Sequence, residues 1–325
     1  MSKRTAVVLF NLGGPDSIEA VEPFLFNLFS DPDIFKLPLG FITQKPFARL
    51  ISRRRAPEAA KGYQAMGGKS PIGEYTAAQA KALDEALKPA GDYKVFVCMR
   101  YWHPMSDEVV QLLKQEGFEQ VILLPLYPQY STTTTGSSYN DFVRACTRAN
   151  YHPSLQFIEK WYNETRYQET IVDAIREEAG KLPDPDPEKI EVLFSAHGLP
   201  QKIVKRGDPY QQQIEATYEA VKQKLGWPHT TLCYQSRVGP LEWLRPYTED
   251  VILEKAAAGT KQMLVYPIAF VSDHIETLYE LGVEYAEVAK ESGIEYYRVV
   301  PALNTAPGLI QTLKDLVTAQ HEFDV

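Results

Sequence analysis

The chain has few cysteines, no long apolar run and no excess of basic residues, and each absence excludes a class of protein. Only three of its 325 residues are cysteines; they are too scattered for a disulfide framework and form no CxxC pair, which indicates a reducing compartment. No stretch of about eighteen apolar residues occurs, so the sequence predicts no membrane-spanning segment. The net charge of −8 argues against a general nucleic-acid-binding protein.

What remains is the composition of a soluble globular protein, with 44% hydrophobic and 23% charged residues. Lys3 and Arg4 precede an apolar run, but that run is too short for the core of a signal peptide. We therefore expect a cytoplasmic protein that consists of one large domain or of two domains of ordinary size.

One pattern of short apolar strands separated by amphipathic helices occurs twice along the chain. The strands predicted in the first half and then in the second are Thr5–Phe10, Lys94–Cys98, Gln120–Pro125, Ile190–Phe194, Thr230–Cys233 and Gln262–Pro267. Such alternation predicts parallel sheets that helices cover on both faces. We expect an α/β protein of two Rossmann-like halves, residues 1–165 and 166–325, with a cleft between them and a closing helix at 307–320.

Residues 21–66, called the apolar segment below, do not fit this repeat. They combine apolar clusters such as Phe24–Phe29 with the basic triplet Arg53–Arg55, and their prolines argue against a single helix. Two interpretations stay open. The segment either shields an apolar ligand or touches a bilayer through its basic residues, or it is a helical hairpin packed on the sheet with solvated arginines.

Two predicted strands end in ionisable residues. His197 follows the strand that begins at Ile190, and Asp273, His274 and Glu276 follow the strand that begins near Gln262. Ligands of open α/β sheets bind outside the carboxyl ends of the strands, so these side chains are expected at one crevice. A neutral imidazole is a natural proton acceptor near pH 7, and Gly198 would let a ligand approach His197 closely.

The acidic residues after the second strand end have two interpretations. Asp273 or Ser272 is placed to cap a helix, which is ordinary chemistry at a helix start, or the acids contact a metal ion. An α-helical winding puts five glutamates on one face: Glu276, Glu280, Glu284, Glu287 and Glu291. Like charges four residues apart cost stability, so guiding a divalent cation is one reason for this stripe, with solvation equally open for Glu287 and Glu291.

Seven motifs in order make the chain resemble the ferrochelatase family from residue 5 to about residue 305. They are Leu12–Pro15, Gly67–Ile72, Met99–Tyr101, Pro125–Ser131, Ser195–Pro200, Tyr234–Pro240 and Ser272–Leu278. The family inserts ferrous iron into a porphyrin with release of two protons. The resemblance therefore implies porphyrin and ferrous iron as substrates. A related chelatase for coproporphyrin or another tetrapyrrole is the first alternative, and a non-catalytic haem carrier is the second.

The resemblance also implies roles for individual residues. His197 matches the histidine that accepts pyrrole protons, and Glu276 matches a glutamate facing it across the cleft. The metal ligands implied are His197, Glu276, Asp273, His274 and Glu280. The porphyrin-binding residues implied are Leu12, Tyr63, Ser70, Arg100, Tyr101 and Trp243.

Three further expectations depend on the same resemblance. No cysteine follows Cys233, so no iron–sulfur cluster and no other resident cofactor is expected. Leu12 stands where relatives that act on coproporphyrin carry tyrosine, which favours protoporphyrin IX. The apolar segment corresponds to a lip that covers the porphyrin, and it is expected to contact the inner face of the membrane peripherally or to form a surface of a homodimer. Both a monomer and a homodimer stay open.

Overall fold

A computed structural model describes residues 4–35 and 37–320, with the backbone alone at Phe41. The described chain divides into two compact units. The first comprises the residues up to Lys160 together with those from Ile310 onward, and the second is Trp161–Leu309. The predicted boundary lies at residue 165, with the closing helix at 307–320 wholly in the second half.

The first unit holds four strands and five helices before its C-terminal portion. The strands are β1 (Thr5–Asn11), β2 (Tyr93–Met99), β3 (Gln120–Pro125) and β4 (Ser154–Phe157). The helices are α1 (Val21–Phe29), α2 (Gly40–Ala65), α3 (Ile72–Leu87), α4 (Ser106–Gln115) and α5 (Ser137–Arg148), with a short π-helix at Thr132–Gly136. All strands are parallel, in the order β2-β1-β3-β4.

The second unit repeats this arrangement. Its strands are β5 (Ile190–His197), β6 (Thr230–Gln235), β7 (Gln262–Tyr266) and β8 (Tyr296–Val299). Its helices are α6 (Thr165–Ala179), α7 (Gln201–Val204), α8 (Tyr210–Leu225), α9 (Thr248–Ala257), α10 (Tyr285–Glu291) and α11 (Pro307–Thr318), the last extending into the first unit. A 3₁₀ turn (Pro187–Lys189) and a π-helix (Glu276–Glu284) complete it.

Both sheets confirm the predicted fold class. The second sheet is parallel in the order β6-β5-β7-β8, so each unit has its first strand flanked by the next two along the chain. The central strands β1 and β5 are buried almost throughout, as expected where helices cover both faces of a parallel sheet. Because β1 lies beside β2, and β5 beside β6 and β7, the predicted motifs gather at the carboxyl ends of these strands.

The apolar segment is a pair of helices, α1 and α2. The expectation that the segment is not a single helix is confirmed, although α2 itself runs for 26 residues through Pro46 and Pro57. Each proline removes one backbone donor, while α2 buries Gln44, Ala48 and Ser52, spaced four residues apart on one face. The opposite side exposes Ile42 and Leu50, and Leu39 is exposed at the N-cap of α2.

The helix after β7 differs from the expected α-helix. Residues Glu276–Glu284 form a π-helix, with hydrogen bonds to the fifth rather than the fourth residue. The N-cap of this π-helix is Ile275, which makes no side-chain capping hydrogen bond. The changed winding also leaves Leu278 39% exposed, although an α-helical pattern puts it on the same apolar face as Leu281, which is buried.

Among the described residues, none of the helices combines the length and the apolar character needed to cross a bilayer.

Candidate active site

The centre of the candidate site is a hydrogen-bonded pair in the second unit. His197 is the last residue of β5, and its Nδ1 lies 2.7 Å from Oε2 of Glu276, the first residue of the π-helix. A flat macrocycle between two side chains would need about 3.5 Å of contact distance to each of them. His197 and Glu276, which the resemblance implies face each other across the cleft, are in direct hydrogen-bond contact in this structure.

The pair is electrostatically coupled. Burial lowers the pKa of His197, but the charge and hydrogen bond of Glu276 outweigh burial and leave the pKa above its ordinary value. Burial likewise raises the pKa of Glu276, and the attraction of His197 reverses this and brings it to about 2. Glu276 is thus ionised at every physiological pH and stabilises the charged imidazole.

Ser236 joins this pair to a second carboxylate, and the sequence analysis did not single it out. Its Oγ lies 2.9 Å from Oε2 of Glu276 and 2.5 Å from Oε2 of Glu280, and its single proton is donated to one of them at a time. The backbone N–H of Ser236 donates to Oε1 of Glu280 at 2.7 Å. Burial, followed by the charge of Glu276, raises the pKa of Glu280.

The loop that carries Ser236 is held by β6. The side chain of Gln235 accepts from Ser195 Oγ at 2.7 Å, and its Nε2 donates to the carbonyl of Glu276 at 3.2 Å. Ser236 itself has a φ of +63°, a left-handed conformation that is uncommon for residues other than glycine. Non-glycine residues in this conformation are enriched at functional sites, so this backbone angle was a signal available only from the structure.

His274 lies near the pair but does not bond to it. Its Nδ1 is 3.1 Å from the carbonyl of Ser272, which makes Nδ1 the protonated nitrogen, and its Nε2 is 3.9 Å from Oε1 of Glu276. Burial lowers the pKa of His274, which keeps the ring neutral near pH 7. The described residues include no group of three or more histidine, cysteine, aspartate or glutamate side chains arranged to hold a metal ion.

Asp273 has its carboxylate engaged within the fold. Oδ1 accepts from Thr277 Oγ1 at 2.8 Å and from the backbone N–H of Ala302 at 3.2 Å, while Oδ2 accepts from Asn304 Nδ2 at 2.7 Å. These hydrogen bonds connect the turn after β7 to the turn after β8. Asp273, one of the five metal ligands implied by the resemblance, thus holds the strand end in place in this structure.

Aromatic side chains flank His197. The rings of Trp243 and Phe270 both lie 6.4 Å from its imidazole, edge to face. The expectation that Gly198 makes room for a ligand was wrong: a Cβ there would lie 2.9 Å from the carbonyl of Gln235 and 3.3 Å from Trp243. Glycine is required at this position because the chain itself approaches closely.

The first unit collects five of the six predicted porphyrin-binding residues at one edge of its sheet. Leu12, Arg100 and Tyr101 follow β1 and β2, joined by backbone bonds from Arg100 to Asn11 and from Tyr101 to Leu12. Ser70 bonds through its backbone to Pro15 in the loop after β1, and Tyr63 accepts from the Gly68 N–H at the end of α2. Trp243 lies in the second unit.

Four of these five residues are buried, and Leu12 is the more exposed one. Leu12 is half-buried, whereas Tyr101 is fully buried and donates its hydroxyl to Asp31 at 2.7 Å. Burial and the adjacent Asp31 raise the pKa of Tyr101 well above its usual range, so the phenol keeps its proton. Arg100 is 8% exposed and Tyr63 is 4% exposed. Tyr101 therefore presents no exposed atom to a ligand.

Two parallel four-stranded sheets flanked by helices place the chain in the chelatase class of folds, since solved structures of that class match it over nearly its whole length. SirB from Bacillus subtilis, solved with Fe3+, matches with a TM-score of 0.55 and 12% sequence identity, covering 99% of this chain and 100% of that one. A multi-domain protein from Deinococcus radiodurans, described as structurally similar to chelatases, matches with a TM-score of 0.53 over 99% of this chain and 56% of its own.

Sequence comparison gives the family. The model of the ferrochelatase family matches residues 4–321. A ferrochelatase of Nostoc sp. is 47% identical over 97% of this chain and 81% of its own length, and one of Synechococcus sp. is 48% identical over 98% and 93%. The chain belongs to the ferrochelatase family. It is an enzyme, a metal-inserting chelatase, as the resemblance of its motifs predicted.

Proposed function

We propose that the chain inserts ferrous iron into protoporphyrin IX to form protohaem and release two protons, and that His197 is its general base. The observation that carries this assignment is the 2.7 Å contact between His197 Nδ1 and Glu276 Oε2. A carboxylate on Nδ1 favours the tautomer with its proton on that nitrogen, which leaves Nε2 with a free lone pair. Nε2 is then the atom that accepts a pyrrole proton.

The charge balance of the reaction explains why the proposed base, His197, is paired with a carboxylate. A dication enters the ring while two pyrrole protons leave, so the histidine that takes up a proton becomes a cation beside the incoming metal. Glu276, ionised throughout, stabilises that imidazolium, as the acid member of a hydrogen-bonded triad does. Glu280 and Ser236 extend the site with oxygen atoms, the ligand type that hard and borderline divalent ions prefer.

Protoporphyrin IX is proposed over the more acidic coproporphyrin because of the residue after β1. Leu12 is a half-buried apolar side chain at the strand end where Arg100 and Tyr101 also lie. An apolar side chain favours the vinyl-bearing macrocycle, which carries fewer carboxylates. The proposal includes no resident cofactor: iron is the substrate, and the three cysteines are buried within the fold.

The reaction is tested by the anaerobic absorbance of the purified protein with protoporphyrin IX and ferrous iron, or zinc as a stable substitute. We expect the free-base bands to decay and metalloporphyrin bands to grow at a rate proportional to protein concentration. Coproporphyrin in the same assay is expected to give a lower kcat/KM. Bound porphyrin whose spectrum never changes would indicate a carrier and would contradict the proposal.

We further propose that the apolar segment touches the inner face of the cytoplasmic membrane peripherally. Leu39, Ile42 and Leu50 are each more than 60% exposed, and Arg49 and Arg53 are exposed on the same helix. An apolar face bordered by arginines is typical of helices that lie in the headgroup region of anionic membranes. The guanidinium groups of Arg49 and Arg55 lie 5.9 Å from the rings of Phe26 and Phe29, so cation–π contacts connect α2 to α1.

The membrane contact is tested with vesicles. Replacing Leu39, Ile42 and Leu50 together by serine is expected to weaken sedimentation with phosphatidylglycerol-containing vesicles about tenfold or more, because three apolar side chains no longer leave water. Leu112→Ser, at a leucine of α4 that is 42% exposed, is the control outside the segment and is expected to leave vesicle binding unchanged. Loss of a dimer in size-exclusion chromatography with unchanged vesicle binding would assign the surface to a homodimer instead.

A further inference from the structure

A polar network in the first unit surrounds one buried carboxylate that the proposed reaction does not use. The side chain of Asp31 is fully buried, in the connection between α1 and α2. Its Oδ2 accepts from Tyr101 at 2.7 Å and from the hydroxyl of Ser137, and lies 3.0 Å from Arg100 Nη2. Its Oδ1 accepts the backbone N–H of Asp33 at 2.8 Å. A carboxylate away from water persists only when it is paired in this way.

Arg100 is engaged by the same network through all three of its guanidinium nitrogens. Nε donates to Ser137 at 2.7 Å, Nη2 pairs with Asp31, and Nη1 lies 3.5 Å from Asp141. The side chain is only 8% exposed. A guanidinium whose planar fork is occupied by the fold has little capacity left for a substrate carboxylate, because recognition of a carboxylate by arginine uses that fork.

The network joins the apolar segment to the body of the first unit. Asn27, on α1, donates to the backbone carbonyl of Tyr101 at 3.1 Å, and the backbone N–H of Phe35 donates to the carbonyl of Asp31 at 2.9 Å. Phe35 in turn packs its ring 5.4 Å from Phe29 of α1 and 6.1 Å from Phe47 of α2. The turn that contains Asp31 thus connects α1 and α2 to the residues that follow β2.

We propose that Asp31 is a positioning residue, which fixes the apolar segment in the arrangement that binds porphyrin, and that Arg100 acts through Asp31 rather than on a porphyrin carboxylate. The inference rests on the proposed function, because it assigns a role within porphyrin binding. It replaces the substrate contact that the resemblance implied for Arg100 and Tyr101 with a contact inside the fold. The affinity for porphyrin, and not the chemical step, is what Asp31 supports.

The test measures KM for protoporphyrin and kcat for metal insertion in Asp31→Asn. The amide places N–H groups against the donors of Tyr101, Ser137 and Arg100, so we expect KM to rise about five- to tenfold with kcat within twofold of the wild type. Tyr101→Phe removes one hydroxyl from the network without changing charge, and a smaller rise of KM is expected. This second variant decides the question if Asp31→Asn does not fold.

Two further measurements separate positioning from general loss of structure. Backbone amides of residues 21–66 are expected to exchange hydrogen faster in Asp31→Asn, while those of β1 and β3 keep their wild-type rates. Asp107→Asn is the matched control, because Asp107 of α4 lies outside the apolar segment and pairs at 2.7 Å with Arg148, both side chains being more than half exposed. Exposed pairs contribute little, so this variant is expected to leave KM within twofold.

A double-mutant cycle tests the role of Arg100. If Arg100 acts through Asp31, both substitutions disrupt the same network and their effects do not add. The variant that carries Asp31→Asn and Arg100→Gln then has the KM of the worse single variant. Losses that multiply, or an unchanged KM in Asp31→Asn and Tyr101→Phe, would overturn the inference. A wild-type protein that inserts no metal would contradict the proposed function instead, so the two failures are distinguishable.

Discussion

Replacing His197 by alanine is expected to lower kcat for metal insertion by about 10²- to 10⁴-fold, the contribution typical of a general base. The imidazole is the last residue of β5, and Glu276 holds its Nδ1 at 2.7 Å, so Nε2 is left to accept the proton. Nothing else in the proposed mechanism takes up the pyrrole proton directly. Stopped-flow absorbance with protoporphyrin IX and zinc measures the rate.

The porphyrin affinity of His197→Ala shows whether the variant has lost only its general base or has also lost its fold. His197→Ala removes no residue of the first unit, so the quenching of porphyrin fluorescence on binding is expected to give a Kd close to that of the wild type. His229→Ala, at an exposed histidine of the same unit, is the control and is expected to retain full activity. A near-normal rate in His197→Ala would refute its role as the base.

The central strands were predictable because burial on both faces demands continuous apolar runs. Residues 5–11 and 190–197 are such runs, and their predicted starts agree with β1 and β5. The edge strands Ser154–Phe157 and Tyr296–Val299 were missed, because each is four residues long and has no fully buried residue, which leaves no apolar run to find. The fold class was therefore predictable from the central strands of the two sheets alone.

Helix winding was the least predictable feature of the fold. A pattern of 100° per residue describes an α-helix, which is the winding that the sequence predicts after β7. It cannot detect that Glu276–Glu284 is wound as a π-helix, because the choice between the fourth and the fifth residue as hydrogen-bond partner depends on tertiary contacts. The length of α2 was hard to predict for a related reason, since the helix continues through Pro46 and Pro57 despite two lost donors.

The site was predictable to the extent that strand ends point to it. His197 and Glu276 were named from their positions after β5 and β7, and the structure places them in contact. Ser236 and Asp31 were not named, because their roles depend on partners about 40 and 70 positions away along the chain, which no local spacing reveals. The outer acids Glu287 and Glu291 are exposed, as a solvated face requires.

The second large effect is expected for Glu276→Gln. Glutamine is isosteric, but its amide can donate a hydrogen bond to Nδ1 of His197 and thereby favour the tautomer with the proton on Nε2, where a pyrrole proton must be accepted. The neutral amide also no longer stabilises the imidazolium that forms. We expect kcat to fall by about 10²- to 10⁴-fold. Glu287→Gln, at an exposed acid on α10, is the matched control and is expected to be active.

The pH profile of Glu276→Gln distinguishes an electrostatic partner from a metal ligand. A base must be neutral to act, so activity in the wild type rises with pH through the pKa of His197, which Glu276 holds above its ordinary value. Without the carboxylate, burial remains and lowers that pKa. The acidic limb of log kcat/KM against pH is therefore expected to move to lower pH in the residual activity of the variant, and to stay in place in Glu287→Gln. An unmoved limb accompanied by a large rise of KM for the metal would show that Glu276 acts on the ion and not through His197.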